Sequence, residues 1–255
     1  MDNNTFISEM GEDFSNFAEV LKKEKSLEAL SSKLYILSSK LKGKKDIYYK
    51  TPTISIEFEV SEKFPKRFSH QKSAIDLVLK FDIEVKINNE NLIQGNDPFN
   101  IFGLNILIHG KNKNNQNSKI RYAIHFDRHN KEEEKKAIEK DKGKPPIQPH
   151  PAYHFQFGGN KLTKEEIDYG QALFLDSPRI MHHPMEFILA IDFILSNFFP
   201  RIWQKIKSNR QYKKIIQKYQ KQFIKPYFQS IAHSFNSDLP QNWNAQEIYP
   251  QLVKR

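Results

Sequence analysis

The sequence predicts an α+β fold: a mostly antiparallel sheet of about five strands with helices packed on one face, an N-terminal helix and a C-terminal helical segment. Three observations carry this. The first 42 residues repeat leucine at helical spacing, five later segments alternate apolar and polar residues, and beyond Gly158-Gly159 the helical pattern returns. A period of two marks strands with one face in the core and one in water, which is how antiparallel sheets commonly sit.

The elements follow in order. Phe14, Phe17 and Leu21, then Leu27, Leu30, Leu34, Leu37 and Leu41, give apolar stripes of three- and four-residue spacing that end at Gly43. Ile54, Ile56, Phe58 and Val60 form the first alternating set, and Leu77 through Ile87 the second. Leu104, Ile106 and Ile108 form the third, Ile120 through Phe126 the fourth, and Tyr153, Phe155 and Phe157 the fifth. Asp97-Pro98 marks a turn and 110–118 an Asn-rich hairpin loop. Loops 111–118 and 130–149 are expected to be mobile, the second being long, charged and without apolar anchors.

His183-Pro184 is expected to open a helix whose body, Met185 to Phe199, is apolar nearly all round and therefore buried. Pro200 interrupts it. A second helix is read from about Arg210 to Lys225, a third from Pro226 to about Phe235, and an irregular tail after Asp238. With no internal repeat, the chain reads as one domain over 1–255: a helical segment 1–43, a sheet 46–158 and a helical segment 160–255.

Composition narrows the chemistry. The chain has no cysteine, which removes disulfides, thiolate nucleophiles and cysteine-ligated metals. No signal-peptide pattern is present, and the longest apolar run is broken by Asp192, Ser196 and Asn197, so no membrane span and a cytoplasmic location are expected. No glycine-rich phosphate loop carries a lysine at the required spacing. The net charge of +10 favours an anionic partner.

Two surfaces emerge as candidates. Residues two apart on a strand share a face, so His125, Asp127 and His129 lie together, with Arg121 further along. If the fifth strand pairs antiparallel with the fourth, the shared core forces His154 onto that same face. As a metal site the set is His125, Asp127, His129 and His154, and its cofactor would be a divalent metal. As a catalytic site it is His125, Asp127 and His154, with Arg121 holding a phosphate, and the activity would be that of a phosphodiester hydrolase. The same alternation also fits a plain solvated sheet face.

The second surface is basic. Between Phe193 and Ser237 there is no Asp or Glu, and Arg210, Lys213, Lys214, Lys218, Lys221 and Lys225 fall on a helix whose other side is Tyr212, Ile215, Ile216, Tyr219 and Phe223. Such a face suits nucleic acid or an acidic protein surface, and binding through it is the leading functional expectation. No RNP motif, helix-turn-helix turn or zinc finger accompanies it.

The order helix, four-strand meander, long loop and helices is similar to that of ubiquitin-conjugating enzymes. His150-Pro151, followed by Gly170 and Leu173-Phe174-Leu175-Asp176, resembles that family's His-Pro-Asn and Cys-Leu-Asp stretches. Ala152 stands where the family has Asn, and no Cys is present to carry a thioester. The resemblance implies a conjugation-dead module acting within a larger assembly.

Overall fold

A computed structural model describes residues 3–41, 47–58, 74–112, 119–129, 150–158, 179–241 and 243–252. The loop 130–149, most of the loop 111–118, Gly43, Gly170 and the stretch 173–176 lie outside the described residues.

The leucine-rich start folds as α1 (Asn3–Leu21) and α2 (Glu28–Leu41), parted by a short 3₁₀ turn at Lys25–Leu27. Ser31 Oγ donates to the Ala18 carbonyl and Ser38 Oγ to that of Gly11. One number rises as the other falls, so the two helices form an antiparallel hairpin. Small side chains at these positions let the backbones approach closely.

The sheet contains β1 (Ile47–Lys50), β2 (Ile54–Glu57), β3 (Ala74–Ile87), β4 (Phe99–Asn112), β5 (Lys119–Arg128), β6 (Tyr153–Phe157) and β7 (Ile180–Met181). Their order is β1-β3-β4-β5-β6-β7, with β2 also on β3, and every pair is antiparallel. Seven strands thus replace the expected five. β1 and β7 are too short to show a periodic signal. Between β1 and β2, Thr51 bridges the edge of β3: its N–H donates to the Ile83 carbonyl and its Oγ1 accepts from Ile83 N.

Helical segments fill one face. A short α3 (Asn89–Gln94) lies where only the Asp97-Pro98 turn is predicted; Asn88 caps its start and Gly95, at φ 79°, ends it in the left-handed region. Beyond the sheet come α4 (Phe187–Phe198), α5 (Pro200–Ile206), α6 (Arg210–Tyr219), a π turn (Gln220–Ile224), α7 (Lys225–His233) and α8 (Ala245–Ile248). Pro200 opens α5 rather than merely ending α4, because the first helical turn needs no N–H there. His183-Pro184 does not open α4; Glu186 caps it, three residues further on. Asn244 caps α8, so the tail is not wholly irregular.

The core joins both layers. Leu79, Phe81, Ile83 and Val85 of β3, Leu104 and Ile106 of β4, and Phe126 of β5 are buried together with Phe14, Phe17, Phe187, Ile191 and Tyr219 of the helices. Asp192, the carboxylate inside α4, meets no cation among the described residues. Trp203 Nε1 and the Tyr212 hydroxyl each donate to its Oδ1 at 2.7 Å.

Candidate functional site

The open face of the sheet presents two polar cross-strand rows. One runs Asp82, Asn105, His125, Gln156 and the next Glu84, Gly103, Asp127, His154. Register therefore seats Asp127 directly across from His154 and two residues from His125. His125 Nε2 lies 3.1 Å from Asp127 Oδ2, and His154 Nε2 lies 2.9 Å from Asp127 Oδ1. The second contact is an ion-pair approach without hydrogen-bond alignment, since Asp127 Oδ1 has no aligned donor.

The remaining ring nitrogens are also engaged. His125 Nδ1 is 2.7 Å from Asn105 Oδ1, and Asn105 Nδ2 donates to Asp82 Oδ1 at 2.8 Å. The amide must turn its oxygen to His125 in order to give its NH₂ to Asp82, so the ring has acceptors at both ends. His154, 2% exposed, places Nδ1 3.3 Å from the Pro151 carbonyl.

Burial alone would raise the Asp127 carboxyl. The bonds and charges of His125 and His154 outweigh it and hold the group well below the usual carboxylate range. Asp127→Asn is accordingly expected to cost about 2 kcal/mol, read as a lower urea midpoint at unchanged m-value. A variant as stable as the parent would show that the carboxylate contributes nothing net.

His129 departs from the expected set. β5 ends at Arg128, His129 N donates to the Ala152 carbonyl, and its ring lies against that of His150, tilted by 36° with centroids 3.7 Å apart. His150 in turn meets His154 edge-on at 4.7 Å. Arg121 sits opposite His109, four residues from His125, and its side chain lies outside the described residues. Among the described residues no three His, Asp or Glu side chains are arranged to hold a metal ion. Asp127 already faces an imidazole nitrogen on each oxygen.

The His129–His150 pair lines a cleft of about 680 Å³ with Lys86, Asn100, Arg128 and Gln246. The C-terminal segment closes it: Ala152 N donates to the Glu247 carbonyl, which brings α8 beside the start of β6. Arg128 is held by Asp97, whose Oδ2 accepts from Nε at 3.2 Å and Nη2 at 3.0 Å and whose Oδ1 accepts from the buried Tyr153 hydroxyl. Lys86 is exposed and has no ion pair among the described residues.

His150 differs from its neighbours. Its Nδ1 is buried without a hydrogen-bond partner among the described residues. Burial, then the charges of His129, Arg179 and His154, push its pKa down to about 4. Sequence reasoning placed His150 just before the His154 strand and in the His150-Pro151 resemblance but gave it no role, since a His before a Pro gives no signal of a cleft.

On the basic helix, Arg210, Lys213, Lys214, Lys221 and Lys225 are exposed, as predicted. Lys218 is not. It is 13% exposed, with Nζ 2.6 Å from Glu9 and 2.5 Å from Asp13 of α1.

Comparison of the chain with protein-family models, curated proteins and solved structures found no match in any of the three.

Proposed function

We propose that the protein hydrolyses a phosphate ester, with the substrate's anion seated in the cleft between Lys86 and Arg128 and with His150 as general base. One observation supports this above the others: of the imidazoles in contact along the sheet, His125 and His154 have both nitrogens turned on acceptors, whereas His150 has a buried, unpartnered nitrogen and lines the cleft. The rows beneath it then act as a scaffold that fixes His154, on which the His150 ring rests.

The chemistry follows from charge. Positive charge on the adjoining His129 ring disfavours a proton on His150 and keeps that imidazole a free base. An anion entering the cleft favours protonation of His150, giving the base its affinity where substrate is bound. Water loses its proton to His150 as its oxygen bonds to phosphorus. The ester P–O bond breaks, and the leaving oxygen takes the proton from His129. Lys86 and Arg128 balance the charge on the phosphoryl oxygens.

The test is turnover of bis(p-nitrophenyl) phosphate with and without added Mg²⁺ or Mn²⁺. His150→Ala is expected to lower turnover about 10²- to 10⁴-fold, with the thermal midpoint little changed. Gly103→Leu provides a second arm. A side chain there projects between Glu84 and Asp127 into open space, since an added Cβ meets nothing within 4 Å. It blocks the sheet-centre rows and leaves the cleft free, so it is expected to spare turnover. Metal-dependent turnover that survives His150→Ala but not Gly103→Leu would move the chemistry to His125, Asp127 and His154. No turnover under either condition, with no binding of inorganic phosphate by calorimetry, would remove the reading.

A further inference from the structure

The outer surface of α6 and the π turn is made of cations and amides alone. Arg210, Lys213, Lys214 and Gln217 follow one another at three- and four-residue spacing, which keeps them on one side of α6, and all four are exposed. Gln220 and Lys221 extend the surface along the π turn, and Lys225 ends it at the first residue of α7. No other side chain from Arg210 to Lys225 is exposed. The opposite side, formed by Tyr212, Ile215, Ile216, Tyr219 and Phe223, is buried.

The charge on this surface is not neutralised from within. No Asp or Glu occurs between Phe193 and Ser237, so the helix supplies no counter-charge of its own. From the neighbouring α1, Glu9 and Asp13 close on Lys218, the one cation of this run that turns inward. The five exposed cations have no ion pair among the described residues. The first turn of α6 carries no acidic residue either, so the positive end of the helix adds to the charge of Arg210.

We infer that this surface binds the phosphate backbone of double-stranded DNA without regard to base sequence. It goes beyond the hydrolase reading and does not depend on it. The absence of an apolar residue from the surface decides against a protein partner, whose docking site has an apolar centre from which charges are depleted. A polyphosphate needs no such centre, because release of its counterions drives the binding. Single strands are held by successive bases stacked on aromatic rings, and both tyrosines of α6 are buried. The nearest exposed ring, Phe228, lies past the end of the surface. From Arg210 to Lys225 the run spans about 20 Å, or about six base pairs of backbone. Duplex RNA is gripped over about 16 base pairs through two successive minor grooves, which this length does not reach.

Anisotropy of a labelled DNA duplex of two helical turns and mixed sequence, titrated with the full chain, gives the test. Its single strand, the matching RNA duplex, a glutamate-rich peptide of equal charge and phosphatidylserine vesicles serve as rivals. The DNA duplex should bind tightest, with a log–log salt slope of about −4 to −5, the value for five neutralised phosphates. Lys214→Gln with Lys221→Gln should reduce that slope by about two and leave the circular-dichroism melt unchanged. Lys50→Gln with Lys111→Gln removes as much charge from exposed positions on the strands and should leave the slope as it was. His150→Ala should bind the duplex as the parent does, so loss of the hydrolase reading would not remove this one. A slope untouched by the α6 and π-turn variant, or reduced equally by the strand variant, would overturn the inference. So would tighter binding of any rival, or no binding of the duplex at about 50 mM salt.

Discussion

Lys218→Glu is expected to destabilise the protein by about 3 kcal/mol or more, whereas Lys214→Glu, four residues away on the same helix, should stay within about 0.5 kcal/mol of the parent. The difference lies in what each ammonium faces. Lys214 is exposed. Lys218 reaches under α1, where it meets the carboxylates of Glu9 and Asp13 and rests 5.1 Å above the Phe6 ring. Asp13 is itself 13% exposed, and burial raises its pKa despite the opposing pull of Lys218. A glutamate in place of Lys218 leaves three carboxylates together with no cation between them. Guanidinium denaturation of both variants gives the comparison directly. Adding Glu9→Lys to Lys218→Glu restores opposite charges and should recover part of the loss. Failure to recover any would mean that the loss came from packing against Phe6 rather than from charge.

The same residue shows where sequence reading ended. A helical wheel drawn from Arg210 to Lys225 puts Lys218 among the solvent-facing cations, because the wheel knows only its own helix. The acidic face of α1 lies some two hundred residues earlier, and only the tertiary packing of α1 on α6 brings Glu9 and Asp13 within reach. The wheel also assumes constant phase, whereas the π turn at Gln220–Ile224 re-aims everything after it. Beyond it Phe228 and Phe235 are exposed, which the sequence had not singled out. The strands were more legible. Alternation placed His125 and Asp127 on one face, and the demand for a shared core put His154 on that face as well. What alternation could not supply was the offset between β5 and β6, since the loop joining them is too long to fix it. The pairing Asp127↔His154 comes from the structure alone. His150 was less legible still, because it precedes β6 and takes its position from a C-terminal segment that the sequence presents as a tail.

Between about pH 6.5 and pH 8 the protein is expected to lose stability as the pH rises, and Glu186→Gln should remove most of that loss. Glu186 is fully buried at the start of α4, with Oε1 accepting from Leu189 N at 2.9 Å and Oε2 without a hydrogen-bond partner among the described residues. Burial pushes its carboxyl from 4.5 up to about 8; the N–H groups of Ile188 and Leu189 pull it down, and the charge of Asp13 pushes it up again. Between those two values the folded state holds a proton that the unfolded chain has released. The stabilisation is thus complete below the unfolded value and declines by about 1.4 kcal/mol per pH unit until the folded value is passed. His150, His182 and His183 act in the opposite sense, since each has a folded pKa below its ordinary 6.5. Their contribution rises with pH and is complete above that value, so from pH 6.5 upward the Glu186 slope stands clear of them and amounts to about 2 kcal/mol by pH 8. Glutamine keeps the Oε1 acceptor for Leu189 N and cannot ionise. Urea midpoints of both proteins at three pH values across this interval give the answer: parallel slopes would mean that Glu186 exchanges no proton on folding, and a flat parent would mean that it is ionised in the folded core.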